Sequence, residues 1–154
     1  MTLPNYPKAA VREKDCMTVI AELTPAFAVA PQIVPSDMAR LAEAGFTTIV
    51  CNRPDGEEAG QPDAAAMRRA AEDAGLSFHH IPVQGGMFSP SAMTALVAAH
   101  DPAGGRSLAY CRSGTRSAAL YVLANPEGLT ADERIAAAGR AGYDLESLRG
   151  YLAD

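Results

Sequence analysis

The chain has 154 residues, of which 48% are hydrophobic and 20% charged, so it can form one globular domain with its own core. Its net charge of −5 argues against a broad surface for nucleic acid or anionic membranes, but not against a local site for a small anion. No stretch approaches the roughly 20 apolar residues of a membrane span. Residues 1–15 lack the apolar core of a signal peptide, so we expect a cytoplasmic protein.

The first predicted strands and helices follow a polar N-terminal segment. Residues 1–16 carry prolines and mixed charges without a period, which predicts an N-terminal arm ahead of a domain over residues 17–154. Short strands are predicted over residues 19–23 and 27–30. Ser36 suits the N-cap of a helix that Gly45 closes. The apolar, β-branched run over residues 46–51 is typical of a buried parallel strand.

The second half of the chain continues this alternation of strands and helices. The predicted elements are, in order, a helix over residues 62–74 with Pro62 in its first turn, a strand over 76–83, a helix over 89–100, a strand over 107–111, and helices over 115–124, from 130, and over 145–151. Strands that alternate with helices favour an α/β fold: a single domain with a mostly parallel central sheet flanked by helices.

One segment joins a cysteine to features that bind anions. Cys111 ends an apolar strand, and the residues after it are small, hydroxyl-bearing or basic: Arg112, Ser113, Gly114, Thr115, Arg116 and Ser117. A strand–loop–helix unit of this kind turns successive N–H groups toward one centre, and the helix N-terminus adds partial positive charge. The planar fork of Arg116 suits an anion, and such surroundings favour a thiolate.

We therefore predict a cysteine-thiolate enzyme with Cys111 and Arg116 as catalytic residues. The anion-binding loop would consist of Arg112, Ser113, Gly114, Thr115 and Ser117. The alternative, a buried structural cysteine beside surface arginines, leaves this combination of residues unexplained.

The other titratable side chains indicate no metal site and no cofactor. Cys16, Cys51 and Cys111 share no metal-ligand spacing, and we expect free thiols in a reducing compartment. Cys51 ends a predicted strand, where it is structural or a resolving thiol. His80 is a packed or surface histidine unless it reaches the site. Met87 and Phe88 belong to the core or cover the site as an apolar lid.

Five segments carry a family resemblance. They are residues 52–57 (NRPDGE), 61–62 (QP), 80–83 (HIPV), 109–117 (AYCRSGTRS) and 141–145 (AGYDL). On these, the chain resembles the phosphatase-like domain of the beta-lactamase-hydrolase-like proteins, in the cysteine phosphatase-like superfamily, with a rhodanese-like CRSGTRS loop. The resemblance implies a fold like that of protein tyrosine and dual-specificity phosphatases, with Cys111 as the nucleophile.

The loop departs from the phosphatase pattern in two ways. Cysteine phosphatases carry five residues between cysteine and arginine, usually with a histidine before the cysteine. Here four residues separate Cys111 from Arg116, and Tyr110 precedes the cysteine. Rhodanese-type sulfurtransferases often have this shorter loop, which makes a smaller cradle for an anion.

The general acid that a phosphatase needs for a poor leaving group is also hard to assign. No Asp or Glu occurs over residues 75–100, where phosphatases of this fold often place it. Asp55 is the best substitute, because it follows a strand that would end at the same sheet edge as Cys111. Alternatively, the Asp55 carboxylate makes a turn hydrogen bond or pairs with Arg53 or Arg116. Arg53 is a second anion contact or a surface residue.

Sulfur transfer through a Cys111 persulfide needs no such acid, so we prefer it. The alternative is a phosphoester hydrolase with a phosphocysteine intermediate at Cys111. A third interpretation, from another class, is a non-catalytic anion-binding module. The expected partners are a small anionic substrate, or a sulfur donor and a thiol acceptor, without nucleic acid or membrane. A protein partner and the oligomeric state stay open.

Overall fold

A computed structural model describes residues 19–100 and 105–154 of the chain. The predicted arm, Cys16 and residues 101–104 lie outside the described residues. The described strands form one sheet in the order β1-β2-β5-β3-β4. The strands are Ala21–Thr24 (β1), Phe27–Ala30 (β2), Phe46–Cys51 (β3), Ser77–His80 (β4) and Arg106–Tyr110 (β5). β1 pairs antiparallel with β2, and the other pairings are parallel, as the sequence predicts.

Helices connect these strands and cover both faces of the sheet. The α-helices are Met38–Glu43 (α1), Ala64–Asp73 (α2), Pro90–Ala99 (α3), Thr115–Ala124 (α4) and Ala131–Arg140 (α5). Two 3-10 segments are Pro35–Asp37 and Glu146–Tyr151. In the described ranges, no helix combines the length and the apolar character needed to cross a membrane.

Three predicted helix boundaries differ from the structure. Ser36 is not an N-cap but lies inside the first 3-10 segment, where the Asp37 carboxylate accepts the Val34 N–H at 2.9 Å. α2 begins at Ala64 because the Asp63 carboxylate, rather than the Pro62 ring, sets its start by accepting the Ala66 N–H. The predicted last helix, over residues 145–151, is a 3-10 helix and begins one residue later, Glu146–Tyr151.

The central strand β5 shows how the sheet divides the core into two layers. Leu108 and Tyr110 belong to the cluster that α1 and α2 cover, which includes Met38 and Met67. Ala109, one residue out of phase, belongs to the cluster on the other face, with side chains of α3, α4 and α5. A strand buried on both faces is expected in a parallel sheet, and it explains the continuous apolar run before Cys111.

The same topology determines where the site is built. Because β2, β5, β3 and β4 run parallel, their carboxyl ends meet at one edge of the sheet. Cys111 follows β5, Asn52 follows β3 and Ile81 follows β4. The carboxyl edge therefore collects the loops on which the sequence-based hypotheses depend.

Candidate active site

Cys111 lies buried directly beyond the central strand. Its side chain is 0% exposed, and its N–H donates to the carbonyl of Ala30 at 3.4 Å, which extends the β2–β5 ladder. Its Sγ accepts the Gly114 N–H at 3.1 Å. Sγ thus accepts a backbone N–H at the N-terminus of α4, where the helix carries partial positive charge.

The cysteine loop, residues 111–116, is closed by short-range contacts. Ser113 Oγ donates to Thr115 Oγ1 at 3.1 Å, and the Thr115 N–H donates to Ser113 Oγ at 3.4 Å. Thr115 is the first residue of α4, and Gly114 is its N-cap. The predicted loop residues Ser113, Gly114 and Thr115 therefore lie together around Cys111.

Position 114 requires a glycine, both because of its backbone conformation and because of its close neighbours. Its φ of +92° lies in the left-handed region, which strains other L-residues. A Cβ at this position would lie 2.2 Å from the hydroxyl oxygen of Tyr143. Tyr143 also donates from that hydroxyl to the Ser113 carbonyl at 3.3 Å, so it packs directly against the cysteine loop.

Arg116 occupies the first turn of α4 and is held by two acceptors. Its NH1 and NH2 donate to Glu57 Oε2 and Oε1 at 2.8 and 2.9 Å, and NH1 also donates to the Val83 carbonyl at 2.8 Å. The bonds to Glu57, followed by the charge of a Cys111 thiolate, raise the pKa of Arg116. A guanidinium has five N–H donors, so donors remain for an anion.

Glu57 is the functional residue that the sequence analysis missed. Its Oε1 also accepts from Arg53 Nε at 2.9 Å, so one carboxylate joins two arginines. The Arg116 bonds, followed by those of Arg53, lower the pKa of Glu57 to about 2. Glu57 lies in the NRPDGE segment, and an acidic residue in a loop at the same edge as Arg116 was the available signal.

Arg53 is neither a surface residue nor an open anion contact. It is 2% exposed, and its three donor nitrogens bond to different acceptors. NH1 donates to Gln32 Oε1 at 3.0 Å, NH2 to Glu58 Oε1 at 2.9 Å, and Nε to Glu57. Arg53 therefore braces residues 52–58, here named the bracing loop, against the carboxyl edge.

Asp55 lies in the bracing loop with its carboxylate turned toward α2. Its Oδ1 accepts the N–H of Ala64, the first residue of that helix, at 2.8 Å. This bond joins residues nine apart in the chain, so it ties the bracing loop to α2 and is not a local turn hydrogen bond. The general-acid role of Asp55 stays a prediction.

Ser117 and Asn52 join α4 to the end of β3 behind the loop. Both are 0% exposed, and Ser117 Oγ donates to Asn52 Oδ1 at 2.8 Å. Asn52 Nδ2 donates in turn to the Ile81 carbonyl at 2.8 Å. Ser117 is thus a buried support of the helix, whereas the sequence predicts it as part of the anion-binding loop.

Arg112, which the sequence predicts as part of the anion-binding loop, is exposed to solvent. Its carbonyl accepts the Gln32 N–H at 3.2 Å, which fixes its backbone. The bond from Arg53, followed by the charge of Arg112, lowers the pKa of Glu58. Arg112 and Arg116 of the cysteine loop therefore lie near the carboxylates of the bracing loop, Glu58 and Glu57.

The remaining candidates lie around the bracing loop or outside the site. Cys51 is 3% exposed and Sγ donates to the Arg53 carbonyl at 3.4 Å, while burial raises the pKa of this thiol. His80 Nε2 lies 3.0 Å from the same carbonyl. Tyr110 is buried on the α1–α2 face, and this burial, followed by the charge of Cys51, raises the pKa of Tyr110. Met87 is 76% exposed.

Within residues 19–100 and 105–154, no three or more His, Cys, Asp or Glu side chains are grouped so that they could hold a metal ion.

The chain is more than 30% identical to relatives among both solved structures and curated proteins. A solved structure of a candidate phosphatase from Neisseria meningitidis is 36% identical, covers 85% of this chain and 94% of that chain, and superimposes with a TM-score of 0.70. The Beta-lactamase hydrolase-like protein of Xylella fastidiosa is 33% identical over 128 residues, which are 82% of this chain and 30% of that protein. The chain thus spans less than a third of that relative's length.

More distant structures share the fold alone. A kinase-associated phosphatase, solved with its catalytic-site cysteine replaced by serine, is 13% identical and superimposes with a TM-score of 0.63, covering 87% of this chain and 90% of that chain.

The family model described as "Beta-lactamase hydrolase-like protein, phosphatase-like domain" matches residues 20–128, a range that contains the whole cysteine loop and the bracing loop. The chain therefore belongs to the family of phosphatase-like domains of the Beta-lactamase hydrolase-like proteins, with the fold of cysteine phosphatases.

Proposed function

We propose that this domain is a cysteine-dependent phosphatase that hydrolyses phosphomonoesters through a phosphocysteine at Cys111. The observation that carries the proposal is the arrangement around the sulfur. Cys111 Sγ accepts the Gly114 N–H, and Arg116, in the first turn of α4, is held by Glu57. Such a cradle offers N–H donors and a guanidinium to the equatorial oxygens of a phosphoryl group.

The reaction would proceed in two steps. The Cys111 thiolate attacks phosphorus, the S–P bond forms, and the P–O bond to the leaving group breaks with its electron pair. Water then attacks the phosphocysteine, the S–P bond breaks, and the thiolate and inorganic phosphate are released. Arg116 would stabilise the oxygens in both steps, because the donors are in place before the charge develops.

The carboxylates near the loop indicate which substrates would react best. Glu57, with a pKa of about 2, carries no proton at neutral pH. Asp55 accepts a backbone N–H at the start of α2. Because Glu57 is ionised and the Asp55 carboxylate is turned toward α2, we expect aryl phosphates, whose leaving groups need little protonation, to react faster than alkyl phosphates.

Sulfur transfer is the second candidate, and the comparisons favour it less than the phosphatase. The observation in its favour is the spacing: four residues separate Cys111 from Arg116, so the cradle is one residue shorter than in most cysteine phosphatases. In this reaction the thiolate would take the sulfane sulfur of an anionic donor, and a thiol acceptor would remove it. No proton donor is needed for either step.

Parallel assays of the protein and its Cys111→Ser variant distinguish these candidates. One assay follows nitrophenol release from its phosphate ester, and the other follows thiocyanate formation from thiosulfate and cyanide. Cysteine-dependent nitrophenol release without thiocyanate supports the phosphatase. Cysteine-dependent thiocyanate alone would replace it with sulfur transfer. Oxyanion binding without either turnover would favour the non-catalytic anion-binding module.

A further inference from the structure

Tyr143 is fixed behind the cysteine loop by the segment that follows α5. Its N–H donates to the Ala138 carbonyl at 2.8 Å, and Gly142, with a φ of +100°, turns the chain toward the loop. The hydroxyl then lies against Gly114, where a Cβ would be 2.2 Å away. The position of this hydroxyl is thus set by the backbone of another element.

The hydroxyl and the sulfur bond to opposite ends of one peptide group. Tyr143 donates to the Ser113 carbonyl at 3.3 Å, and the N–H of the same peptide unit, that of Gly114, donates to Cys111 Sγ at 3.1 Å. A hydrogen bond to a carbonyl polarises the peptide and strengthens its N–H as a donor. It also fixes the plane of the peptide, and so the direction of the N–H.

We propose that Tyr143 is a positioning residue that strengthens the Gly114 N–H donor and so favours the thiolate form of Cys111. The hydroxyl stays a donor because burial, followed by the charge of a Cys111 thiolate, raises the pKa of Tyr143. The inference rests on the proposed function only in that Cys111 acts as a thiolate. It applies equally to phosphoryl and sulfur transfer.

Other groups also act on this sulfur, so the contribution of Tyr143 is one among several. Arg116 on α4 lies near enough to Cys111 for the charge of a thiolate there to raise the pKa of Arg116. Cys51 on β3 lies close enough to interact with Cys111 by charge, and a second thiolate there would oppose it. Removing the Tyr143 hydroxyl leaves both of these interactions in place, so the expected effect is moderate.

The test is the pH profile of Cys111 alkylation by iodoacetamide in the Tyr143→Phe variant, measured by peptide mass spectrometry. Phenylalanine keeps the ring and removes the donor. We expect the midpoint to move to higher pH and the alkylation rate below the midpoint to fall by about twofold to fourfold. The matched control is Tyr151→Phe, because Tyr151 is 80% exposed.

A second variant separates donor strength from packing. A fluorinated tyrosine at position 143 keeps the shape and is a stronger donor, so it should move the midpoint to lower pH. Opposite shifts of the midpoint for the two variants support the proposed role of Tyr143. An unchanged midpoint in Tyr143→Phe with native circular dichroism would overturn it, as would equal shifts in Tyr151→Phe. Alkylation requires no turnover, so a protein without phosphatase activity still gives a decisive result.

Discussion

Two loops build the candidate active site, and they are held by different kinds of contact. The cysteine loop is closed by neighbours in sequence, such as Gly114 N–H to Cys111 Sγ and Ser113 to Thr115. The bracing loop is held by partners far along the chain, such as Arg53 to Gln32 and Glu57 to Arg116. One loop therefore forms the cradle, and the other determines where its arginine points.

The largest effect is expected from removing Arg116, which lies in the cysteine loop and is held by the bracing loop. Arg116→Ala should lower kcat/KM for an aryl phosphate by about 10²–10³-fold, because a preorganised donor to the transition state is lost. Arg116→Lys keeps the charge without the planar fork and should recover only a small part. Steady-state kinetics measure both, and full activity in Arg116→Ala would exclude its role.

Gly114→Ala tests the local closure of the cysteine loop. The substitution combines a positive φ with a contact of 2.2 Å to Tyr143, so it should lower kcat/KM by a smaller but still large factor, with about 1–3 kcal/mol lost in stability. Gly86→Ala is the matched control, because its Cβ would meet nothing within 4 Å. Equal effects of the two substitutions would contradict the account.

Glu57→Gln tests the bracing loop. Glutamine keeps the shape but loses the charge that holds Arg116, so we expect about a tenfold loss of kcat/KM. Binding of orthovanadate, measured by competition, should weaken in parallel because the guanidinium is less well oriented. Unchanged kinetics would mean that α4 alone positions the arginine.

The lowered pKa of Glu57 predicts that the stability of the fold depends on pH. The folded-state pKa of Glu57 is about 2 against an ordinary value of 4.5, so its contribution is present above pH 4.5 and is lost as the pH falls toward 2. Denaturant unfolding of the wild type should therefore lose stability across this interval more steeply than that of Glu57→Gln. Parallel curves for the two proteins would show that the ion pairs contribute nothing measurable.

The smallest effect on turnover is expected for Asp55→Asn. The Asp55 carboxylate accepts the Ala64 N–H, so its loss should cost about 1 kcal/mol of stability and change kcat/KM less than about threefold. A much larger loss for alkyl than for aryl phosphates would instead identify Asp55 as the general acid. Thermal unfolding and a pair of substrates give the two answers.

The contrast between the loops also explains what could be predicted from the sequence. The start of α4 at Thr115 and the place of Cys111 at the end of β5 follow from local patterns, because an apolar run, a glycine and a helical period are adjacent in the chain. The parallel sheet follows from the same alternation. The resemblance to the phosphatase-like domains supplied the family, which the comparisons confirm.

The bracing loop could not be predicted in the same way. Arg53, Asp55 and Glu57 are all charged residues in one loop, and only the packing of that loop against α2 and α4 decides which carboxylate faces Arg116. The sequence predicts Ser117 in the anion-binding loop with the other hydroxyl residues, but its side chain on α4 points to Asn52. The preference for sulfur transfer rested on the loop length and a missing acid, and the comparisons favour the phosphatase alternative.

The most direct test of the central claim is to trap the intermediate on the sulfur. The protein would be mixed with an aryl phosphate, quenched in acid, and examined by intact mass and peptide mapping. We predict a phosphoryl group on Cys111 that is absent from Cys111→Ser. An unmodified Cys111 during steady turnover, or a sulfur atom acquired from thiosulfate with no phosphoryl adduct under any condition, would contradict the account.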